Sequence, residues 1–460
     1  MKSSLSQRVV FILIIFGIAG FFYLSIPSLE KKYLQTIKEY PHVDYNELQK
    51  IVQAEIQQID LTFLKTLQDS GIQVFLIEPR LLLYFLNEDD LKILEKREVR
   101  TKHFYERFNI TSYGIFENSS NSINDNVVSL FEHLGYRYYK EKSLDFREIH
   151  WDENRSQSLS ITSHHFFIKN YRIIHLVVFF NRNTYFWNPK LENVPEEVQN
   201  ILLPSELSYG THASAFERFE VIPSNSTIEQ TIYVPSDLTY FLFEIPSSNF
   251  HECNFVNVKT FFSNNEYEND AKFDDKVRRA IETLKVILKP FYISFWIGSG
   301  TLLGWYRQCG VIPYTSDVDF AIWIRDFDTD LDKYMKKQKF MKLKYVFGVP
   351  EESYQYAFYL SKLRIDLFFT YKGPYNYWYG GHMPSSKKYF HYIYPKFVLC
   401  SAELLKQKIL IPCTTEEIII AEYGYSWMKP IKRWNYDESA YNIGPKLHWP
   451  DKYNHTFIVY

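Results

Sequence analysis

The sequence predicts a mixed α/β protein, of the α+β kind, with two domains behind an N-terminal membrane anchor. The chain has 460 residues, which is too long for one ordinary hydrophobic core. Apolar runs of strand length lie between stretches with helical periodicity, and 46% of the residues are hydrophobic. Residues 9–26 form an uncharged run of eighteen residues, which is near the lower limit for a membrane-spanning helix.

These observations divide the chain into five segments. We expect a cytoplasmic tail at 1–8, a transmembrane signal anchor at 9–26, a charged stem at 27–60, a non-catalytic domain at 61–265 and a catalytic domain at 266–460. The net charge of −2 argues against a nucleic-acid-binding protein, which normally carries a basic excess. Two domains of ordinary size therefore follow the stem.

The N-terminal apolar run has a second interpretation, a cleaved signal peptide. We favour an uncleaved anchor, because signal peptides usually have a shorter apolar core and no clear cleavage site follows here. The flanking charges do not decide the orientation, since Lys2 and Arg8 on one side compete with Lys31 and Lys32 on the other.

Glycosylation sequons and cysteines indicate a lumenal body. The sequons begin at Asn109, Asn118, Asn154, Asn225 and Asn454. The cysteines are four: Cys253, Cys309, Cys400 and Cys413. An even number is typical of disulfides in an oxidising compartment, although free buried thiols remain an alternative. We rank a zinc site lower, because no Cys-x-x-Cys occurs.

The first domain shows fewer signals of function. Apolar runs predict strands at 74–77, 173–180 and 240–245, and Gly135 ends a predicted helix at 126–134. The histidines His164, His165 and His175 are scattered in the sequence, and we interpret them as structural or surface residues. Residues 73–82, QVFLIEPRLL, faintly resemble residues 294–303, SFWIGSGTLL. We attribute this to chance; the alternative is a degenerate copy of the catalytic fold without its carboxylates.

The second domain begins with a predicted helix at 266–289. Its apolar stripe is Phe273, Val277, Ile281, Leu284 and Leu288, and Pro290 ends it. A buried strand at 292–297, the turn Gly298-Ser299-Gly300 and a short helix at 301–308 follow. Glycines in such a turn let a backbone approach a ligand closely, although an ordinary strand-to-helix turn has the same appearance.

Three carboxylates are the candidate catalytic and metal-binding residues. Asp317 and Asp319 stand at the head of the predicted strand 318–324, and the period of two sends both to one face. Asp366 lies in another apolar strand, 363–370, where an unpaired charge is costly. We expect it to act either as a third metal ligand or as the base for an acceptor hydroxyl. Neighbouring carboxylates repel each other unless a cation lies between them, and their oxygens suit Mg²⁺ or Mn²⁺. The alternative is that Asp317 and Asp319 are solvated loop residues that bind no metal.

Other segments of the second domain complete the predicted site. The N–H groups around Ser299 and Gly300 are expected to cradle phosphate, and Arg307, Lys362 and Arg364 are candidate phosphate clamps. For Lys362 we favour a solvated surface charge. We predict a surface helix at 329–338 and a hairpin formed by 354–360 and 363–370. Residues 377–382 are predicted to form an aromatic loop that either lines a pocket or packs against the core. A last helix at 414–423 is predicted to begin with a Thr414–Glu417 capping box and to end at Gly424.

The segment GTLLGWYRQCGVIPYTSDVDF, residues 300–320, resembles the LicD-type phosphotransferases of the nucleotidyltransferase fold. Within that group the likeness is to the fukutin family, and it is closest after about residue 273. Further similar segments are FLIEP at 75–79, HLVVF at 175–179, YPKFVLC at 394–400 and EYGYSW at 422–427.

The resemblance implies a metal-dependent transferase that uses CDP-ribitol to add ribitol 5-phosphate to the O-mannosyl glycan of α-dystroglycan. It also implies a single-pass type II protein of the Golgi membrane, a glycoprotein acceptor, and association with itself or with other transferases of that pathway. Two alternatives stay open. One is another CDP-alcohol donor, carrying glycerol or choline. The other is a non-catalytic chaperone or scaffold for a Golgi glycosyltransferase.

Overall fold

The computed structural model describes residues 53, 56–57, 59–97, 99, 109–148, 160–202, 206–224, 231–265, 270–453 and 455–460. The predicted anchor and most of the stem lie outside these ranges, as do the sequons at Asn154, Asn225 and Asn454. No helix in the described ranges is long and apolar enough to cross a bilayer. Val52–Tyr460 form one compact unit, so the boundary between residues 265 and 266 stays a prediction.

The helices are short apart from one. They are α1 (Leu61–Asp69), α2 (Pro79–Leu82), α3 (Glu88–Lys96), α4 (Glu117–Ser120), α5 (Asp125–His133), α6 (Glu196–Gln199), α7 (Leu238–Glu244), α8 (Phe255–Asn264), α9 (Ala271–Leu288), α10 (Ser299–Gln308), α11 (Thr329–Lys337) and α12 (Thr415–Tyr423).

The strands fall into a first group before α7 and a second group after α9. They are β1 (Phe75–Leu76), β2 (Ile110–Phe116), β3 (Arg137–Leu144), β4 (Ser160–Lys169), β5 (Arg172–Arg182), β6 (Tyr185–Asn188), β7 (Ser214–Glu217), β8 (Val221–Pro223), β9 (Tyr233–Pro235), β10 (Trp296–Ile297), β11 (Asp317–Trp323), β12 (Lys342–Val349), β13 (Glu352–Leu360), β14 (Leu363–Lys372), β15 (Tyr377–Met383), β16 (Lys388–Tyr394), β17 (Leu399–Leu404), β18 (Gln407–Pro412), β19 (Leu447–His448) and β20 (Phe457–Val459).

The two large sheets share one topology. In the first, the strand order is β1-β2-β5-β4-β3, and in the second it includes β10-β11-β14-β13-β12. The third strand of each series pairs parallel with the second, and the other neighbours pair antiparallel. Helices α1, α2 and α5 occupy the same places in the first series as α9, α10 and α11 in the second. The likeness of residues 73–82 to residues 294–303 falls on corresponding elements of the two series, which favours the alternative of a degenerate copy over chance.

The second sheet has the larger core. Helix α9 is capped by Asp270, whose side chain accepts hydrogen bonds from the first turn, and its predicted apolar stripe is buried against the sheet. In α5 the predicted end is confirmed as well, because Gly135 adopts a φ of 87° just after the helix. The predicted hairpin is present as β13 and β14.

Four secondary-structure predictions were wrong: the strand 240–245, the strand 292–297, the capping box at Thr414 and the aromatic loop 377–382. Residues 240–245 belong to helix α7, because the side chain of Asp237 caps the backbone of Tyr240 and outweighs the strand propensity of the aromatic run. The predicted strand 292–297 is reduced to β10, since Tyr292 has a left-handed φ of 51°. Thr414 makes no side-chain cap, so the capping box of the last helix is missing.

The predicted aromatic loop 377–382 is instead strand β15, paired along its length with β16. Its two glycines suggested a loop, but they serve close packing. A Cβ at Gly380 would lie 2.2 Å from the Ser353 Cβ, and one at Gly381 would lie 2.3 Å from the Phe390 ring. Glycine is thus required here by neighbouring strands and not by a turn.

Disulfides and ion pairs join distant parts of the compact unit. The disulfides are Cys253–Cys309 and Cys400–Cys413, so all four cysteines are paired. Lys408, on β18, lies 2.7 Å from the Glu244 carboxylate of α7, and Lys285, on α9, lies 2.7 Å from Glu217 of β7. Lys408 and Glu244 are both buried. These pairs connect the two halves of the chain through apolar surroundings.

Candidate metal centre and donor cleft

The three predicted carboxylates meet at one point. Asp317 and Asp319 begin β11, and Asp366 lies in the neighbouring strand β14, directly opposite Asp319 in the parallel register. One oxygen from each of the three carboxylates lies within 4.8 Å of the other two. Because β11 and β14 run parallel, the sheet itself places the two strand-borne charges side by side.

Surrounding polar groups hold the carboxylates of Asp317 and Asp366 and the backbone of Asp319 in place. The hydroxyl of Thr315 donates to Asp317 Oδ1 at 2.6 Å, and the backbone N–H of Asp319 donates to Thr301 Oγ1 at 2.9 Å. Asp366 Oδ1 accepts from Gln355 Nε2 at 2.8 Å, and Arg364 lies against both of its oxygens, at 3.0 and 2.8 Å. Only one of the three carboxylates therefore has a cationic partner among the side chains described.

Burial and mutual repulsion raise the pKa values of this cluster. Burial is the main reason that the pKa of Asp319 stands well above its usual range, and the charges of Asp317, Asp366 and Glu422 raise it further. Burial also raises the pKa of Asp366 to about 6, although Arg364 opposes it. A divalent cation would relieve both effects, so the oxygen-rich set fits Mg²⁺ or Mn²⁺.

The glycine turn before α10 faces the carboxylates. The N–H of Gly298 donates to the backbone carbonyl of Asp319 at 3.0 Å, which fixes the turn to β11. The strained residue is Ser299, with a left-handed φ of 41°, at a cost of about 1–3 kcal/mol. A Cβ at Gly300 would lie 3.8 Å from Asp319 Oδ2, so the first turn of α10 approaches the metal-binding oxygens closely.

A buried chain of hydroxyl groups supports this strained turn. Ser299 Oγ lies 2.5 Å from Tyr379 Oη, which lies 2.5 Å from Tyr394 Oη. Tyr394 donates to Glu422 Oε2 at 2.7 Å, and burial raises the pKa of Glu422 to about 7. Glu422 is a fourth carboxyl group at the site, and the sequence did not identify it as functional.

Arg307 and Arg364, two predicted phosphate clamps, line the same cleft, whereas Lys362 does not. Arg307 is 1% exposed, bonds to Gln308 Oε1 and to the Trp427 carbonyl, and lies 4.7 Å above the Phe261 ring. No carboxylate in the described ranges pairs with it. Lys362 is exposed at the hairpin turn, in agreement with the surface-charge interpretation.

The cleft has a volume of about 710 Å³ and opens between the first turn of α10, the carboxylates and the loop after α12. Cations and aromatic side chains both line it. The cations are Arg307, Arg364, Lys429 and Lys432, and the aromatic residues include Phe368, Tyr392, Trp434 and Tyr436. Basic groups beside an acidic metal-binding cluster suit an anionic ligand that carries a ring or a sugar.

Three histidines of the first half, His164, His165 and His175, form a buried cluster. His164 Nδ1 lies 2.9 Å from His175 Nε2, and His165 contacts Ser120 at 2.9 Å. All three are buried, and burial lowers the pKa of His164 to about 4 and that of His165 to about 3. The structural interpretation is therefore confirmed, but they are neither scattered nor on the surface.

Several residues of the site were missed from sequence. Gln355 and Thr315 donate to carboxylates, and Thr301 accepts from the backbone of Asp319, through single hydrogen bonds that leave no motif. In the sequence, Glu422 lies within the segment EYGYSW and Tyr379 within an aromatic run. An acidic residue on the buried side of α12 was the one available signal.

Known proteins resemble this chain over most of its length. Residues 4–280 match the family described as "Fukutin N-terminal", and residues 292–414 match "LicD/FKTN/FKRP, nucleotidyltransferase domain". The Homo sapiens protein named "Ribitol-5-phosphate transferase FKTN" is 30% identical over 403 residues, which covers 84% of this chain and 85% of that protein.

Two further relatives extend the comparison. The Mus musculus protein of the same name is 33% identical over 335 residues, which is 71% of each chain. An uncharacterized Caenorhabditis elegans protein is 28% identical over 234 residues, covering 48% of this chain and 58% of that one. The match to the first family extends over more than half of the chain, and the match to the nucleotidyltransferase domain follows it and contains the three converging carboxylates. The chain therefore belongs to the fukutin family.

Proposed function

We propose that this protein is a metal-dependent transferase that moves ribitol 5-phosphate from CDP-ribitol to the O-mannosyl glycan of α-dystroglycan. The observation that carries the proposal is the convergence of Asp317, Asp319 and Asp366 beside the strained turn before α10. The name of the Homo sapiens and Mus musculus relatives supports the transferred group. The donor, the metal and the acceptor are proposals that follow from the family resemblance and the cleft.

Asp317, Asp319 and Asp366 would hold the cation, Mg²⁺ or Mn²⁺. When bound, such an ion neutralises the charge of a pyrophosphate and orients it for attack. In the protein alone, the three carboxylates stand within reach of one another, with the pKa values of Asp319 and Asp366 raised. The cation would make this arrangement of charges favourable at neutral pH.

Arg307 is the residue best placed to bind the phosphates of the donor. It is a buried guanidinium on the wall of the cleft and is held by neutral oxygens, so its charge is available to an anion. Arg364 differs, because its guanidinium is already engaged by Asp366. We therefore assign donor binding to Arg307 together with Ser299 and Gly300, and assign Arg364 to the support of Asp366.

The surroundings of Asp366 favour a metal ligand over a general base. Its Oδ1 accepts hydrogen bonds from Gln355 and Arg364, and its Oδ2 lies 2.8 Å from Arg364. A base needs an oxygen free to receive a proton from the acceptor hydroxyl. In the transfer itself, that hydroxyl attacks the phosphorus bonded to ribitol and loses its proton to water, the new P–O bond forms, and CMP leaves as the P–O–P bridge breaks.

The two disulfides support a lumenal position for the catalytic half, because such bonds persist in oxidising compartments. Asn109 and Asn118 are exposed and accessible to glycosylation. We place the protein in the Golgi membrane as a single-pass type II protein with residues 9–26 as its anchor. A complex with other transferases of the pathway, or with itself, belongs to the same proposal.

Donor-dependent release of CMP tests the function. Purified protein is incubated with CDP-ribitol, CDP-glycerol or CDP-choline, with Mg²⁺ or Mn²⁺ and with or without EDTA. We expect CMP release from CDP-ribitol that EDTA and Asp317→Asn both abolish. The matched control is Asp330→Asn, which removes an exposed acid of α11. Release from another donor would change the substrate, and equal activity of wild type and Asp317→Asn would refute the metal centre.

A further inference from the structure

The chain of hydroxyl groups behind the cleft joins two of the residues that line it, Ser299 and Glu422, whose side chains also interact with each other directly. Ser299 and Glu422 both face the cleft, whereas Tyr379 and Tyr394 stand behind its wall and are 5% and 3% exposed. Each link is short, at 2.5, 2.5 and 2.7 Å from Ser299 to Glu422. Buried hydroxyl groups with full partners of this kind adopt one geometry, since any other leaves a buried polar group unpaired.

The residue at the cleft end of this chain needs such support. Ser299 occupies a left-handed conformation that residues with a side chain seldom adopt, and it is the first residue of α10. The same turn contains the first N–H groups of the helix, which have no acceptor within the helix itself. A shift of Ser299 would therefore move every backbone group that could contact the phosphates of a donor.

We propose that Tyr379 and Tyr394 are positioning residues that lock Ser299 and the first turn of α10 against the donor, with Glu422 as the fixed end of the chain. The proposal rests on the proposed function, because it assigns the donor phosphates to this turn. The phenol of Tyr379 acts through Ser299 and does not itself contact substrate. Its position is secured by ring packing as well, since Phe368 stacks on Tyr379 at 4.6 Å.

A double-mutant cycle tests the coupling. We expect Tyr379→Phe to raise the KM for CDP-ribitol and the Kd for CDP with Mn²⁺ about tenfold, as the loss of one buried hydrogen bond does. In a Ser299→Ala background, the same substitution should have no further effect. Tyr371→Phe is the matched control: it also removes a hydrogen-bonded phenol from the same sheet, but it lies outside the cleft.

The far end of the chain gives a second readout. Glu422→Leu removes the acceptor of Tyr394 and should raise KM and Kd as Tyr379→Phe does, whereas Tyr371→Phe should leave both near the wild-type values. Additive effects of Tyr379→Phe and Ser299→Ala, or equal losses in Tyr379→Phe and Tyr371→Phe, would overturn the proposal. Binding of CDP is measured independently of turnover, so a failure of the donor assignment and a failure of the positioning chain give different results.

A separate observation concerns the first half of the chain. Its sheet has the same topology as the sheet of the catalytic half. At the start of each strand series, one backbone hydrogen bond corresponds to one in the other series. Ile77 donates to the carbonyl of Ser112 at 3.1 Å, as Gly298 donates to that of Asp319 at 3.0 Å. This correspondence has the same offset as the likeness of 73–82 to 294–303. It makes Glu78 the counterpart of Ser299.

The register of the strands identifies the other counterparts. Ser112 lies opposite His175 as Asp319 lies opposite Asp366. Ile110 then corresponds to Asp317, and His164 corresponds to Gln355. The side-chain contact between these two strands is present in both halves. His164 lies 2.9 Å from His175, and Gln355 lies 2.8 Å from Asp366. All three metal-binding carboxylates are thus replaced by Ile110, Ser112 and His175.

The place of the cleft is filled in this half. Of the segment 189–210, the structure describes 189–202 and 206–210, and in these Pro189 and residues 208–210 contact the counterparts of the catalytic residues. Ser208 donates to Glu78 at 3.0 Å, Tyr209 donates to the Ile77 carbonyl at 2.8 Å, and the Pro189 carbonyl lies 3.2 Å from His164. Gly210 allows this approach, since a Cβ there would lie 3.2 Å from the His164 ring.

We infer that the first half is a second domain of the nucleotidyltransferase type that has lost its donor site, with segment 189–210 in place of the donor. The chain therefore has one donor site, and the first half supports the second through packing. This inference depends on topology and register and not on which donor the catalytic half uses.

Hydrogen exchange of the whole chain tests this inference. With CDP and Mn²⁺ added, we expect amide protection to rise in peptides that cover 298–319 and to stay unchanged in peptides that cover 75–80, 110–116 and 189–210. Increased protection in any of the latter three would overturn the inference. A lack of change at 298–319 alone would instead count against the proposed function, so the two failures are distinguishable.

Discussion

Glu422→Gln should flatten the pH dependence of stability in the metal-free protein. The fold raises the pKa of Glu422 from an ordinary value of 4.5 to about 7, with burial as the main cause. The folded protein therefore holds this proton more tightly than the unfolded chain. The contribution to stability is complete below pH 4.5 and is lost as the pH rises through 7. A difference of 2.5 pKa units (7 minus 4.5) corresponds to about 3 kcal/mol.

The assay is urea unfolding, followed by tryptophan fluorescence, in EDTA at several values between pH 4.5 and 8. Wild type should lose about 3 kcal/mol more free energy of unfolding across this range than Glu422→Gln, which cannot ionise. Asp366 contributes a change of the same sign in both proteins, because its pKa is raised to about 6. Parallel curves for the two proteins would show that Glu422 does not hold a proton in the fold.

Three other substitutions test the site and the fold. Gln355→Leu removes the 2.8 Å hydrogen bond to Asp366 and should raise the Mn²⁺ concentration for half-maximal CMP release roughly tenfold; an unchanged requirement would contradict its supporting role. Arg307→Met keeps the side-chain volume and should raise the KM for CDP-ribitol about 10–100-fold at nearly constant kcat, whereas a loss of Tm alone would make Arg307 structural. Replacing both Cys400 and Cys413 by Ser opens a loop of 13 residues and should cost about 3 kcal/mol, measured as a lower Tm with activity kept at low temperature.

The carboxylate cluster could be predicted because its signals are local. The period of a strand puts Asp317 and Asp319 on one face, and a charge inside the apolar run around Asp366 needs a partner. Their meeting depends on the parallel pairing of β11 with β14, in which Asp319 faces Asp366. Pairing between separate strands is not encoded in any short segment, so the sequence could only suggest it through the family resemblance.

The remaining parts of the site depend on contacts between distant segments. Tyr379 reaches Ser299 from a strand that was predicted to be a loop, because the glycines beside it allow close packing and do not make a turn. Aromatic runs are equally ambiguous, since α7 has the composition of a strand and becomes a helix through the cap from Asp237. The repeated topology of the two halves could be raised only as the alternative to chance for the likeness of 73–82 to 294–303, because the pairing of the strands is not visible in the sequence.

The ion pairs between the two halves have a consequence for inherited damage to such a protein. Lys408 is buried in the catalytic half, and its nearest counter-charge is Glu244 in the other half, with Glu217 at 4.0 Å. A substitution that neutralises Glu244 would leave this buried ammonium group with Glu217 as its more distant partner, at a cost of up to about 3–5 kcal/mol. Such a substitution would lower the amount of the enzyme in the cell through misfolding and degradation, although the catalytic residues would be unchanged.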